Sequence, residues 1–175
     1  MIRPVLLLGD PGLVAPSREV ERDDLEEVER VATDLRDTLL EFRRRHGVGR
    51  GIAAPQIAEP IRVVYLHWPE ERVLINPVLD RESAETFELW DDCMSFPELL
   101  VRVRRHRSCR LTWRDLDWKR QVLEVETADL SELLQHEVDH LDGVLAVARA
   151  VEPQAFALRP QLEAAGELPE RYGIG

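Results

Sequence analysis

The sequence predicts an α+β fold: a long amphipathic helix, then mostly antiparallel strands, then a second helix. Three observations carry this. Apolar residues recur at spacings of three and four from about Asp24 to His46, short alternating apolar segments occupy the middle, and a second helix with its own start and stop signals follows at about Asp129 to Leu141. At 175 residues one domain is expected, with residues 1–152 as its body and 153–175 as a polar C-terminal tail. A composition 44% apolar and 33% charged is that of a soluble globular protein. The balance of 23 Lys+Arg against 34 Asp+Glu, net −11, argues against a general nucleic-acid coat. No apolar run approaches the roughly 18 residues a membrane helix needs. The start, MIRPVLLLGDPG, lacks the basic flank and cleavage site of a signal peptide, so a cytoplasmic location is expected. Two cysteines in that compartment are ligand, nucleophile or core filler rather than half of a disulfide.

Each element has a local reason. In the first helix Leu25, Val28, Val31, Leu35, Leu39 and Phe42 form the apolar stripe, and Asp23 or Asp24 caps the start. Arg43 to Arg45 suit the last turn and Gly47 stops it. Arg62–Leu66 reads as a strand, Trp68 to Glu71 as a turn, and Val73 to Ile75 as a strand resuming before Asn76-Pro77. Val101–Trp113 alternates in part, Asp115–Arg120 is a turn, and Gln121–Glu126 alternates again. Asp129-x-x-Glu132 has the form of a capping box opening the second helix, and Gly143 can end it. The tail, with Pro153, Pro160 and Pro169, reads as a short helix followed by loose chain.

The second helix carries the chemistry. In Gln135-His136-Glu137-Val138-Asp139-His140, two histidines at i and i+4 project from one face and can reach one metal ion. Glu137 lies beside that ion, placed to handle the proton of a metal-bound water. This is an HExxH metal hydrolase whose type depends on a third ligand. No histidine follows His140, Asp142 is too close to bend back, and Glu152 and Glu163 are distant. Upstream, Cys93 is readable equally as ligand or filler, whereas Cys109 sits in an alternating strand as filler.

Three segments together resemble the peptide deformylases. Gly49-Arg50-Gly51-Ile52-Ala53-Ala54-Pro55-Gln56 matches the first motif of that family, Asp91-Asp92-Cys93-Met94-Ser95 loosely matches the second, and Gln135 to His140 matches the third. The resemblance covers roughly residues 4–150. It implies antiparallel strands packed around a central HExxH helix, and removal of the formyl group from the N-terminal methionine of nascent peptides. It implies one divalent metal ion on Cys93, His136 and His140, natively Fe(II) and often replaced by Ni, Co or Zn. Glu137 would then be general base and acid, with the Gln56 amide and the Met94 backbone N–H as oxyanion donors. Gly49, Arg50, Gly51, Ile52, Asp91, Asp92 and Leu133 would contact substrate.

The sequence departs from the family at Arg50, Asp92, Asp129 and Leu100. Arg50 replaces a bulky aliphatic, Asp92 a glycine, and Asp129 an apolar residue associated with the methionine pocket; Asp129 also reads simply as a cap. Arg50 and Asp92 raise an alternative, a pocket made polar for another N-formyl amine or small molecule, since burying a charge against an apolar side chain is costly. A binding module that has lost catalysis, and an HExxH protease, are further alternatives. Retention of Gln56, Cys93, His136, Glu137 and His140 argues against the first, and the missing downstream ligand against the second. Asp91 is expected to pair with a downstream arginine such as Arg105. The basic stretch Arg102–Arg110 offers a surface for transient ribosome contact, but is read as an exposed strand face pairing with acids. Neither a stable nucleic-acid partner nor a membrane is expected.

Overall fold

A computed structural model of the chain describes residues 1–168. The first helix, α1, spans Leu25–His46 and ends at Gly47, whose φ of 72° is the left-handed cap glycine adopts without strain. Asp24 stands at the N-cap, but its carboxylate does not cap; it accepts from Glu21 N at 2.9 Å and Arg18 Nη1 at 2.8 Å.

Eight strands follow: β1 (Gly51–Ala53), β2 (Val63–Leu66), β3 (Arg72–Asp80), β4 (Thr86–Asp92), β5 (Leu99–His106), β6 (Cys109–Arg114), β7 (Arg120–Val125) and, near the end, β8 (Phe156–Leu158). They make two antiparallel sheets, ordered β1-β2-β3-β6-β7 and β4-β5-β8. The second helix, α2, runs Ala128–Leu141, and α3 spans Arg159–Ala165. No helix among the described residues is long and apolar enough to cross a membrane.

Strand β2 shows how the larger sheet is filled. Its alternate residues serve opposite faces: Val63 and Tyr65 join Val28, Val31, Leu35 and Leu39 of α1, while Val64 and Leu66 join Leu133, Leu134 and Leu141 of α2. Both faces are therefore covered by a helix, which accounts for an apolar run with no polar side. Each such fully buried aliphatic contributes about 1.5–3 kcal/mol relative to exposure. A smaller cluster of Cys93, Phe96, Val101, Val103 and Ala146 joins the second sheet to the loops around the site.

Several sequence expectations are corrected. The segment Val101–Trp113 is two strands, β5 and β6, which lie in different sheets. Strand β3 does not stop before Asn76-Pro77 but continues to Asp80 through a register shift between Ile75 and Val78, where Asn76 has φ 47°. The side chain of Asn76 holds this irregularity by bonding both Val20 N and Val20 O. The capping box at Asp129 and Glu132 is absent: the N-cap is Thr127, Asp129 is exposed, and Glu132 is buried in an ion pair. Of residues 153–175, Phe156–Leu158 pairs with β5 and Arg159–Ala165 forms the short helix; the end of the segment, 169–175, lies outside the described residues.

Candidate metal centre

His136 and His140 stand one turn apart on α2, so their rings share a face, with Nε2 atoms 3.1 Å apart. Cys93 is the first residue after β4, and its Sγ lies 3.2 Å from His140 Nε2. All three donor atoms are buried and fall within 4.8 Å of one another. Metal–nitrogen bonds of about 2.0–2.1 Å and metal–sulfur bonds of about 2.3 Å in a tetrahedron put donors roughly 3.3–3.6 Å apart. The pairs at 3.1 and 3.2 Å lie close to that span. A soft thiolate with two imidazoles suits a divalent transition metal, and three protein donors leave one position open.

These candidate donors are held from behind. Asp91 Oδ2 meets His136 Nδ1 at 3.0 Å and also accepts from Arg105 Nη2 at 3.2 Å, the pairing expected for Asp91. Arg105 Nη1 reaches Asp139 Oδ2 at 2.6 Å, and Arg149 grips Asp139 Oδ1 at 2.7 Å. Burial opposes charge on both Asp91 and His136, yet each outweighs that cost for the other. Asp91, helped by Arg105, is held below the usual carboxylate range, and the His136 imidazolium is held well above its ordinary value. His140, buried and facing the His136 charge, is pushed well below its ordinary value. Its Nδ1 has no hydrogen-bond partner among the described residues.

Glu137 is 3% exposed and, next to His136 on α2, points at β1. A Cβ added to Gly51 would lie 2.8 Å from Glu137 Oε1, so the carboxylate fits only against a bare backbone. Its Oε2 has no protein partner among the described residues, and burial pushes its pKa up to about 7, offset in part by His136. Gln56 is fixed by accepting from Ala53 N at 2.9 Å. Its amide nitrogen lies 3.5 Å from Cys93 Sγ and 3.3 Å from Ser95 Oγ. Met94 follows Cys93 and is buried at 7% exposure. Gly49, with φ 122°, takes a backbone conformation that favours glycine, and its carbonyl accepts from Arg43.

These groups open onto a cavity of about 310 Å³. Gln56, Cys93, Met94, His136 and Glu137 line it, as do Gly49, Arg50, Gly51, Asp91, Asp92 and Leu133. Ile52 does not: its side chain is fully buried in the core facing α1. His140 lies behind the lining, 1% exposed. Both unusual charges are paired, Arg50 with Glu132 and Asp92 with Arg159 at 2.6 Å. Arg50 also donates to Asp129 O at 3.1 Å and stacks over Trp68, 5.5 Å from its ring centre.

Sequence reasoning missed Glu132, Asp139 and Arg159. Glu132 was findable: it precedes His136 by four residues and so shares its helix face. Asp139 stands three after His136, where helical spacing also places a neighbour. Arg159 carried no local signal, because its partner lies 67 residues away.

The family model for polypeptide deformylase matches residues 2–155. A peptide deformylase of Dictyoglomus thermophilum is 35% identical over 153 residues, covering 87% of this chain and 95% of its own. That of Mesorhizobium japonicum is 36% identical, covering 83% of this chain and 82% of its own. Among solved structures, the peptide deformylase of Thermotoga maritima superposes with a TM-score of 0.79 at 25% identity, over 87% of this chain and 99% of that one. One from Acinetobacter baumannii gives 0.77 at 29%, over 85% and 99%. With the family matched over most of its length and relatives above 30% identity along most of theirs, the chain belongs to the polypeptide deformylase family.

Proposed function

We propose that the chain hydrolyses the formamide at the N-terminal methionine of nascent peptides, with one divalent metal ion, Fe(II) natively, on Cys93, His136 and His140. The observation that carries this reading is the buried Cys-His-His donor cluster, of which Cys93 and His136 line one cavity together with Glu137. On the same reading α2 is the central helix around which the antiparallel strands are arranged.

When bound, the metal supplies Lewis acidity and lowers the pKa of water at the open position. Glu137 takes the proton of the attacking water and delivers it to the departing amine, so R–NH–CHO and water give R–NH2 and formic acid. Gly51, lacking a side chain, lets the carboxylate sit against β1. The Gln56 amide and the Met94 N–H, held before reaction by the Ala53 contact and the Cys93 turn, stabilise the developing oxyanion. Asp91 orients His136 and raises its basicity as a ligand. Gly49, Arg50, Gly51, Asp91, Asp92 and Leu133 form the substrate surface, and Ile52 supports it from the core.

A pocket remade for another formyl amine would need bare charges at Arg50 and Asp92, and each is instead neutralised by a partner. Nascent-chain substrates imply transient ribosome contact in the cytoplasm. The exposed arginines Arg102 and Arg104 are engaged with Glu88, Arg107 with Glu85, and Arg110 with Asp80. The test is formate release by metal-loaded protein from formyl-Met-Ala-Ser, with the unformylated peptide as control. Release from the formylated peptide alone is expected; cleavage of a peptide bond in the control, or no formate, contradicts the assignment.

A further inference from the structure

We propose that Arg159, from the C-terminal segment, is a positioning residue for the reaction: it clamps the turn that carries Cys93 and Met94. The idea rests on the deformylase reading for its kinetic consequence, though not for its spectroscopic one.

Three contacts from this one residue span the turn. Its Nη2 meets Asp92 Oδ2 at 2.6 Å, its Nε donates to Pro97 O at 3.2 Å, and its backbone N–H donates to Glu98 O at 2.9 Å. Cys93, Met94 and Ser95 lie between the first and second anchor. The clamp is itself held, because β8 immediately before it pairs with β5 at Leu99, Leu100 and Val101, directly after the turn. Both partners are mostly shielded, with side-chain exposures of 19% for Arg159 and 16% for Asp92. Arg159 and Glu163 also line the catalytic cavity, so the C-terminal segment is one of its walls.

Electrostatics gives the pair a second role. Asp92 is covalently next to Cys93, which acts as an anionic thiolate when it binds metal. Asp92 without Arg159 would place an uncompensated carboxylate beside that thiolate at a shielded site. Removing the arginine should therefore do more harm than removing both charges, because the surviving partner is left unpaired.

The test uses full-length protein loaded with Co(II), comparing Arg159→Met, Arg159→Lys and the double variant Asp92→Asn/Arg159→Met. Readouts are kcat and KM on formyl-Met-Ala-Ser, the thiolate-to-cobalt absorption band, Co(II) affinity by chelator competition, and thermal melting. Arg159→Met is expected to lower kcat by roughly 10- to 100-fold with KM little changed, as a misplaced catalytic group does. It should also shift the absorption band and weaken Co(II) binding. The double variant lacks the fork as well but strands no charge, so its Co(II) affinity should recover while its kcat and band stay close to those of Arg159→Met. An unchanged band and kcat in Arg159→Met, or a double variant restored to the parental band and kcat, overturns the proposal. Should Arg159→Met fail to fold, Arg159→Lys decides: it keeps the charge but cannot reproduce the fork, so native kcat and an unshifted band there also overturn it. If the parent releases no formate, the deformylase reading fails, while the band and the affinities still judge the clamp.

Discussion

Asp91 and His136 form a buried carboxylate–imidazole pair, with Asp91 Oδ2 3.0 Å from His136 Nδ1 and both side chains under 10% exposed. The contact fixes which ring nitrogen of His136 faces Cys93 and His140, and Arg105 keeps the carboxylate charged. Asp91→Asn keeps the shape and removes the charge. Metal affinity measured by chelator competition should fall about 10- to 100-fold. Affinity equal to the parent's would show that Asp91 does not tune the ligand.

Gly51 and Glu137 make a second dependent pair. Gly51→Ala places a methyl group 2.8 Å from Glu137 Oε1 and 3.1 Å from Leu66 Cδ2. The carboxylate must turn away, and formate release should drop by roughly two orders of magnitude, as for other displaced catalytic groups. Metal content should be retained. Parental kcat in this variant would mean that Glu137 is free to act from elsewhere.

The Arg50–Glu132 ion pair is buried, with side-chain exposures of 11% and 2%. Glu132→Gln leaves Arg50 short of its charge partner and should destabilise the protein by about 3–5 kcal/mol. Replacing both, as Arg50→Met/Glu132→Leu, should cost much less than the single change, because no charge is stranded. Denaturant unfolding measures both, and a double variant as unstable as the single would contradict this account.

Glu137 also sets a pH dependence for the metal-free protein. Its folded pKa is about 7, against an ordinary 4.5, because burial penalises the charged form. Between those values the folded state holds a proton that the unfolded chain has released. Its contribution is therefore favourable below the lower value, lost as pH rises towards 7, and constant above it. Glu137→Gln removes this titration and leaves those of His136 and His140. The parent's melting temperature, minus that of the Gln variant, should fall as pH rises through this window and then level. A difference constant across it would contradict the burial of an ionisable Glu137.

Much of this was legible in the sequence because it is local. The stripe of α1 and the HEVDH run of α2 needed only neighbouring residues for their reading, whereas Cys93 was assigned only by the resemblance of three separated segments. The division of the sheets did not, for a specific reason. Val101 and Val103 face inward on β5, and Cys109, Leu111 and Trp113 face inward on β6; all have odd numbers, so the two strands keep one parity across the turn between them. Arg105 shares that parity and is buried at 4% exposure, which only its pairing with Asp91 and Asp139 explains. Strand β4 was hidden by the charges of Glu88, Asp91 and Asp92, whose partners come from β5 and from Arg159 far along the chain. The charge of Arg50 looked like a change of pocket until Glu132 was placed beside it.

The central claim is that Cys93, His136 and His140 hold the metal while Glu137 moves the proton. It is tested most directly by Glu137→Ala, measured for metal by elemental analysis and for formate release from formyl-Met-Ala-Ser in the same preparation. The account predicts about one metal ion per chain and almost complete loss of turnover. Full turnover with the metal confirmed in place would contradict it.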